Sequence, residues 1–296
     1  MSAEDKESKD EQPREEITKE LDSLSQITLV DLDDSSRKAD SNGDPGDDEI
    51  EIPDELSILP LRGLVVYPHT AVPLMVGQPR SIRLVDDVVA AERVIGLVAS
   101  HDPENEEPPP EEIHKIGTIA AVHRLFRAPD GTIRLLVQGL ARIKVEEYTE
   151  TDPYLKARVT RIPENVEKGI EVEALMRNVS EQFRQLSELI PSIPDELLAT
   201  ALSIEDPLQL VYTIATYMRI DLDDAQKIIE EDSTISKLRV LMGLMGKELE
   251  VLELGRKIQA DAQLEIDKVQ REYYLREQLK AIQRELGESD EQQLEA

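Results

Sequence analysis

Between residues 56 and 162 apolar residues fall in short runs, several of which alternate inward and outward with a period of two. Leu56–Leu61, Val94–Val98, Ile116–Val122, Ile133–Val137, Leu140–Val145 and Leu155–Ile162 are therefore predicted strands, each rich in leucine or β-branched residues. Pro129-Asp-Gly131 supplies turn chemistry and predicts a hairpin tip, while Gly139 marks a bend or bulge. One helix, between Arg80 and Glu92 and opened by Pro79 or Ser81, interrupts the strands. A small, mostly antiparallel barrel follows from this order. The polar, proline-rich stretch from His101 to Glu112 cannot be strand interior and reads as a mobile surface loop.

From Gly169 onward the period lengthens to that of helices, at roughly 170–190, 194–203, 206–218 and 222–231. Pro191 and Pro194 punctuate the first boundary, and Asp206-Pro207 and Asp221 or Asp223 fit helix starts. Leu208, Leu210, Val211, Ile214, Ala215 and Met218 share one face and predict a helical core. After Ser233 no proline occurs up to Leu286, and Leu, Glu, Lys, Gln, Arg and Ala dominate. One continuous helix of roughly 80 Å results, longer than a compact domain needs, so most of it must project. Its apolar positions form two short heptad-like runs: Ala262, Ile266, Val269, Tyr273, and then, out of phase, Leu275, Leu279, Ile282, Leu286. Each covers about two heptads, short of a full coiled coil, which predicts a coiled-coil-like helix with partial pairing or packing against a neighbour.

The stretch Gln270-Arg-Glu-Tyr-Tyr-Leu-Arg-Glu-Gln-Leu-Lys-Ala-Ile-Gln283 resembles the end of the amino-terminal region of bacterial Lon proteases. Leu59-Pro-Leu-Arg-Gly-Leu-Val-Val-Tyr-Pro-His69, followed by Pro73-Leu-Met-Val-Gly77, is similar to the opening strands of the Lon substrate-binding domain. The resemblance covers roughly residues 56–288. It implies an α+β fold: a PUA-like antiparallel β pseudo-barrel, an α-helical bundle subdomain and a long projecting helix. The expected divisions are an acidic disordered tail (1–54), the barrel (55–165), the helical subdomain (166–232), the long helix (233–288) and a disordered end (289–296). The resemblance further implies that the ATPase module, which binds ATP and Mg²⁺, and the Ser–Lys protease domain lie beyond Ala296. No catalytic, cofactor-binding or metal-ligating residue is then expected in this chain.

Charge narrows the partners. The chain has 296 residues, with 63 Asp plus Glu against 34 Lys plus Arg, a formal charge of −29. Residues 1–54 hold 19 acidic and 6 basic residues, and so 13 of the 29 excess negative charges. Such a field repels nucleic acid and anionic lipid, and no basic patch offsets it. The chain has no cysteine and no run of eighteen apolar residues, which predicts a soluble, cytoplasmic protein without disulfides.

Catalytic patterns are missing from the sequence. Gly243-Leu-Met-Gly246-Lys247-Glu248 imitates half of a phosphate-binding loop, but Leu241 stands where the first glycine belongs and Glu248 replaces the Mg²⁺-binding hydroxyl. Close helix packing at the two glycines is the simpler expectation. His69, His101, His114 and His123 lack metal-ligand spacing.

What remains is binding. The resemblance implies that this region captures unfolded or misfolded proteins, helps a homohexamer assemble, and serves an ATP-dependent serine protease that degrades misfolded, damaged and short-lived regulatory proteins. Capture needs exposed apolar groups, expected at Met242, Met245 and Leu249 on the long helix and at Tyr67 and Phe126 on the barrel. The methionine spacing also fits a helical core. Self-association is expected at Tyr273, Tyr274, Leu275, Leu279 and Ile282. Two other readings use the same residues: a standalone Lon-like adaptor without proteolysis, and an RNA-binding protein, which the acidic field opposes.

Overall fold

The computed structural model describes residues 53–294 apart from positions 192 and 219, and describes side chains as far as 285. The expectation of a disordered acidic tail falls, for residues 1–52, outside the described residues. Six strands form one sheet: β1 (Glu55–Leu61), β2 (Ala71–Val76), β3 (Val94–Ala99), β4 (Ile116–Arg127), β5 (Ile133–Glu150) and β6 (Lys156–Arg161). Their order is β2-β5-β4-β3-β1-β6, and β5 also pairs with β6. Five strands thus close on themselves, and β2 is attached outside the ring along the first half of β5. All pairings are antiparallel except β1 with β3. That parallel pair needs a crossover, which α1 (Pro79–Ala90) supplies.

The two runs on either side of Gly139 are one continuous strand rather than two. At Gly139 the register with β4 slips, and a side chain there would collide with the Tyr67 carbonyl. Only glycine lets the 62–70 segment lie against β5. Gly131, at φ +88°, closes the β4–β5 hairpin as expected. Inside the barrel, Ile58, Val98, Ile119, Ile143 and Val159 fill one end. Leu84, Val85 and Val88 of α1 plug the other, against Leu61, Leu74 and Leu135. The 101–112 segment is a loop tied by a bridge between Ser100 and Ile113 and by one 3₁₀ turn at Pro110–Glu112.

Five helices follow: α2 (Ile170–Leu189), α3 (Asp195–Leu202), α4 (Pro207–Tyr217), α5 (Leu222–Glu230) and α6 (Thr234–Leu294). The Asp206 carboxylate caps α4 by accepting the Gln209 N–H at 2.8 Å. Pro207 sits in the first turn, where its missing N–H costs nothing. The helical core is built from Val179, Phe183 and Leu186 of α2, Val211 and Ile214 of α4, and Leu238, Leu241 and Met245 of α6. α6 therefore has two parts. Its first five turns pack in this core, whereas every residue from Glu253 to Glu285 is exposed. The helix also runs past the expected break at 288, to Leu294.

Candidate functional site

The barrel meets the helices through the outer face of β5. Ala141, Ile143 and Val145 point into the barrel, so Arg142 between them points outward, yet its side chain is fully buried. The helical subdomain covers it. Its guanidinium donates to the carbonyls of Ile229 at 2.7 Å and Glu231 at 2.8 Å, and it meets Glu164 Oε1 and Asp232 Oδ1, both at 3.0 Å. Glu164 also accepts the Tyr212 hydroxyl at 2.6 Å. The Tyr212 ring stacks on that of Tyr67 at 5.4 Å, and the Tyr67 hydroxyl donates to the Ala225 carbonyl at 3.0 Å. Burial raises both phenols above their usual range, and the Glu164 charge adds to the effect at Tyr212.

Lys237, at the start of α6, closes the network. Its Nζ donates to the Ile228 carbonyl at 3.0 Å, lies 3.9 Å from Glu164 Oε2, and stands 5.2 Å from the Tyr212 ring centre. Burial lowers its pKa to about 8; the Glu164 charge opposes that shift and Arg142 reinforces it. A second tie runs from the 101–112 loop. The rings of His101 and His114 are 3.8 Å apart, and His114 Nδ1 is 3.4 Å from Glu230 Oε1 at the end of α5. Burial and the charge of His101 hold His114 below the usual histidine range. Most of these groups are held by hydrogen bonds or ion pairs, although Arg142 Nε, Glu164 Oε2 and His114 Nε2 are buried without a hydrogen-bond partner; the network's chemistry is that of a fixed joint.

The accessible surfaces lie elsewhere. A cleft of about 560 Å³ opens beside β2, between it and the second half of β1, under the start of α1 and the 103–108 loop. Leu61, Leu74 and Leu84 form its floor, and Arg62, Arg80 and Glu106 stand on its rim. Met75, 65% exposed, lies at its mouth, and Phe126 on β4, 56% exposed, is a second bare apolar group. On α6 the exposed apolar side chains run from Val251, Leu254 and Ile258 to Val269, Tyr273 and Tyr274, and on to Leu275, Leu279 and Ile282.

The residues expected to capture protein are placed unequally. Met245, Leu249 and Tyr67 are buried and Met242 is half-buried, all in the helical core, so the expectation of exposed groups there is corrected. The reason is that α2 lies along the first turns of α6 and takes up that face. Phe126 stays exposed on the barrel, as do Tyr273, Tyr274, Leu275, Leu279 and Ile282 on α6. Gly243 and Gly246 lie within α6 and not on a loop. A side chain at Gly246 would stand at ordinary van der Waals distance from Gln182 of α2 and one at Gly243 would meet open space, so the close packing expected at these glycines is found at neither. Sequence periodicity missed the cleft, because β2, which forms one of its walls, carries a proline at its centre.

Comparison with known proteins agrees with this arrangement. Residues 55–247 match the family model of the ATP-dependent protease La (LON) substrate-binding domain. Lon protease 1 of Herpetosiphon aurantiacus is 45% identical over 248 residues, covering 82% of this chain and 30% of its own length. Lon protease of Dictyoglomus thermophilum is 44% identical over 245 residues, covering 83% of this chain and 31% of its own length. The chain thus spans about 30% of the length of these relatives. The N-terminal domain of Mycobacterium avium complex Lon protease superposes with a TM-score of 0.54 over 65% of this chain and 98% of that one, at 20% identity, a likeness of fold. With a matched domain across barrel and helical core, and relatives this similar over four fifths of its residues, the chain belongs to the Lon protease family and carries its substrate-binding domain.

Proposed function

We propose that this chain is the recognition and assembly region of an ATP-dependent Lon serine protease. It captures unfolded or misfolded polypeptide, holds subunits together, and has no catalytic site of its own. On this proposal ATP, Mg²⁺ and the Ser–Lys pair act in the part of a Lon protease's length that this chain, at about 30% of its relative, does not span. The setting is cytoplasmic, and the whole protein works as a homohexamer that degrades misfolded, damaged and short-lived regulatory proteins.

The observation that carries the reading is the division of α6. A helix anchored by Leu238, Leu241 and Met245 that then bears bare Val269 and Tyr273 on one side and Leu279 and Ile282 on another leaves two short apolar patches for other chains to cover. Capture is supported by the exposed Met75 and Phe126 beside the cleft and on β4. The net charge of −29 keeps such a surface soluble and disfavours nucleic acid. Sedimentation equilibrium tests assembly: Tyr273→Ser with Tyr274→Ser lowers the associated fraction while the melting temperature stays put, because both rings are exposed. Unaltered association removes the assembly role. Anisotropy titration with labelled, reduced and carboxymethylated α-lactalbumin tests capture, and an absence of binding removes that role.

A further inference from the structure

The strand β2 has one edge without a partner. It pairs with β5 on one side and with no strand on the other among the described residues. Pro73 stands opposite Leu136, and a proline has no N–H for the ladder. In an antiparallel pair such a residue occupies a position whose backbone groups turn away from the partner strand. Ala71, Pro73 and Met75 therefore direct three carbonyls and two N–H groups outward. The facing strand is open as well. Ser57 is the last β1 residue paired with β6, the Ile58 N–H reaches the Leu155 carbonyl, and beyond it β1 keeps only β3. Between these edges lies the cleft with its leucine floor.

The rim has a sign. Arg80 donates to the Thr151 carbonyl and keeps its charge, and Arg62 lies 3.8 Å from Glu106, so that with Glu104 and Glu107 the rim is negative by a single charge. The carboxylates of Glu104 and Glu107, also on the cleft, have no ion-pair partner among the described residues. An occupant with lysine or arginine complements them.

We propose that an extended polypeptide with alternating apolar and basic residues adds to β2 as a further strand, its apolar side chains entering the cleft beneath the 103–108 loop. Backbone pairing reads no particular sequence, which suits the capture of many unfolded chains. The inference rests on the capture role proposed above and supplies its binding mode. Pro73 withholds one donor at the centre of the edge. This discourages two copies of β2 from pairing with each other while leaving an incoming strand the flanking donors.

The geometry fixes which backbone atoms matter. In antiparallel addition a residue opposite Met75 shows its side chain on the outer face and its N–H to β2, whereas one opposite Leu74 points its side chain toward the floor and its N–H away. The probes are fluorescein-labelled ten-residue peptides that alternate leucine with lysine or serine. One isomer is N-methylated at the polar residues and the other at the leucines. Both are titrated against the full 296-residue chain in about 0.15 M salt, which screens diffuse attraction.

Methylation at the polar residues should weaken binding at least tenfold, with the leucine isomer within threefold of the parent peptide. The reverse split also supports strand addition, in the parallel sense. Equal affinities for the two isomers, or no binding of the parent, overturn the proposal. Met75→Pro, which deletes an outward N–H, should weaken the parent peptide at least fivefold where Met75→Ala does not. Equal affinities for the two variants also overturn the proposal, and the peptide isomers decide it if Met75→Pro fails to fold. Carboxymethylated α-lactalbumin is titrated alongside. If it binds while methylation makes no difference, capture stands and strand addition falls. If it does not bind, capture itself falls.

Discussion

Replacing Arg142 by methionine tests the joint between barrel and helices. The substitution keeps most of the side-chain volume and removes the guanidinium. Four short contacts disappear, to the carbonyls of Ile229 and Glu231 and to the carboxylates of Glu164 and Asp232. The Asp232 side chain is 84% exposed and recovers water, so its share is small. The Glu164 side chain is only 16% exposed and is left with the Tyr212 hydroxyl and a distant Lys237 for company. Stranding one partner of a buried pair costs about 3–5 kcal/mol. A 150–250-residue unit loses about 2–4 °C per kcal/mol, so a fall of about 6–20 °C in melting temperature is expected. Thermal melts and urea unfolding followed by circular dichroism, in parallel with Glu164→Gln and the double variant, measure the shift and the free energy. The double variant should be less damaged than the two single losses added together, because neutral glutamine no longer needs the cation. A loss below about 1 kcal/mol for Arg142→Met, or strict additivity in the cycle, would refute the assignment of this pair as the joint.

Two further predictions rest on the same region. Lys237 has a folded pKa of about 8, below that of an unfolded lysine, so between those values the unfolded chain binds more protons. The penalty of burying its charge is full below pH 8 and relieved as pH rises. Stability should therefore climb from about pH 8 to 10, until ionisation of Tyr67 and Tyr212 in the unfolded chain reverses the trend, and Lys237→Met should flatten the climb in urea titrations at stepped pH. Met245→Ser should cost about 2–5 kcal/mol, since the side chain is fully buried, whereas Met75→Ser should stay within about 0.5 kcal/mol; equal losses in thermal melts would contradict the placement of Met245 in the core.

Most elements were legible because they follow simple periodicities. The strand runs at Ile116, Ile133 and Leu155, the crossover helix at Pro79 and the helix starts at Asp206 and Asp221 all correspond to observed elements. What sequence left unread has physical causes. Periodicity did not show β2, which only the resemblance at Pro73–Gly77 reached, because it has a proline at its centre, a residue that argues against a strand unless one edge is open, as it is here. Arg142 and Lys237 carry charge, which by itself predicts exposure, and only tertiary neighbours reveal why they are buried. For Met245 a signal was present: Leu238, Leu241, Met245, Leu249 and Leu252 recur at spacings of three and four, which is the stripe α2 covers. The exposed stripe further along α6 reads the same way in sequence. Only the presence of a packed neighbour separates the two.

The unbroken course of α6 has a rotational consequence. Because the helix is clamped at Leu238 and Leu241 and bare after Leu252, the direction in which Tyr273 faces is set, residue by residue, from the core outward. Each peptide unit turns the chain by about 100°, so one residue inserted after Leu252 would swing the whole tyrosine-bearing face about a quarter turn around the axis without disturbing the barrel. Inserting eleven residues, close to three whole turns, would restore the facing and displace it only along the axis. The helix acts as a keyed shaft, in which length sets reach and residue number sets aim.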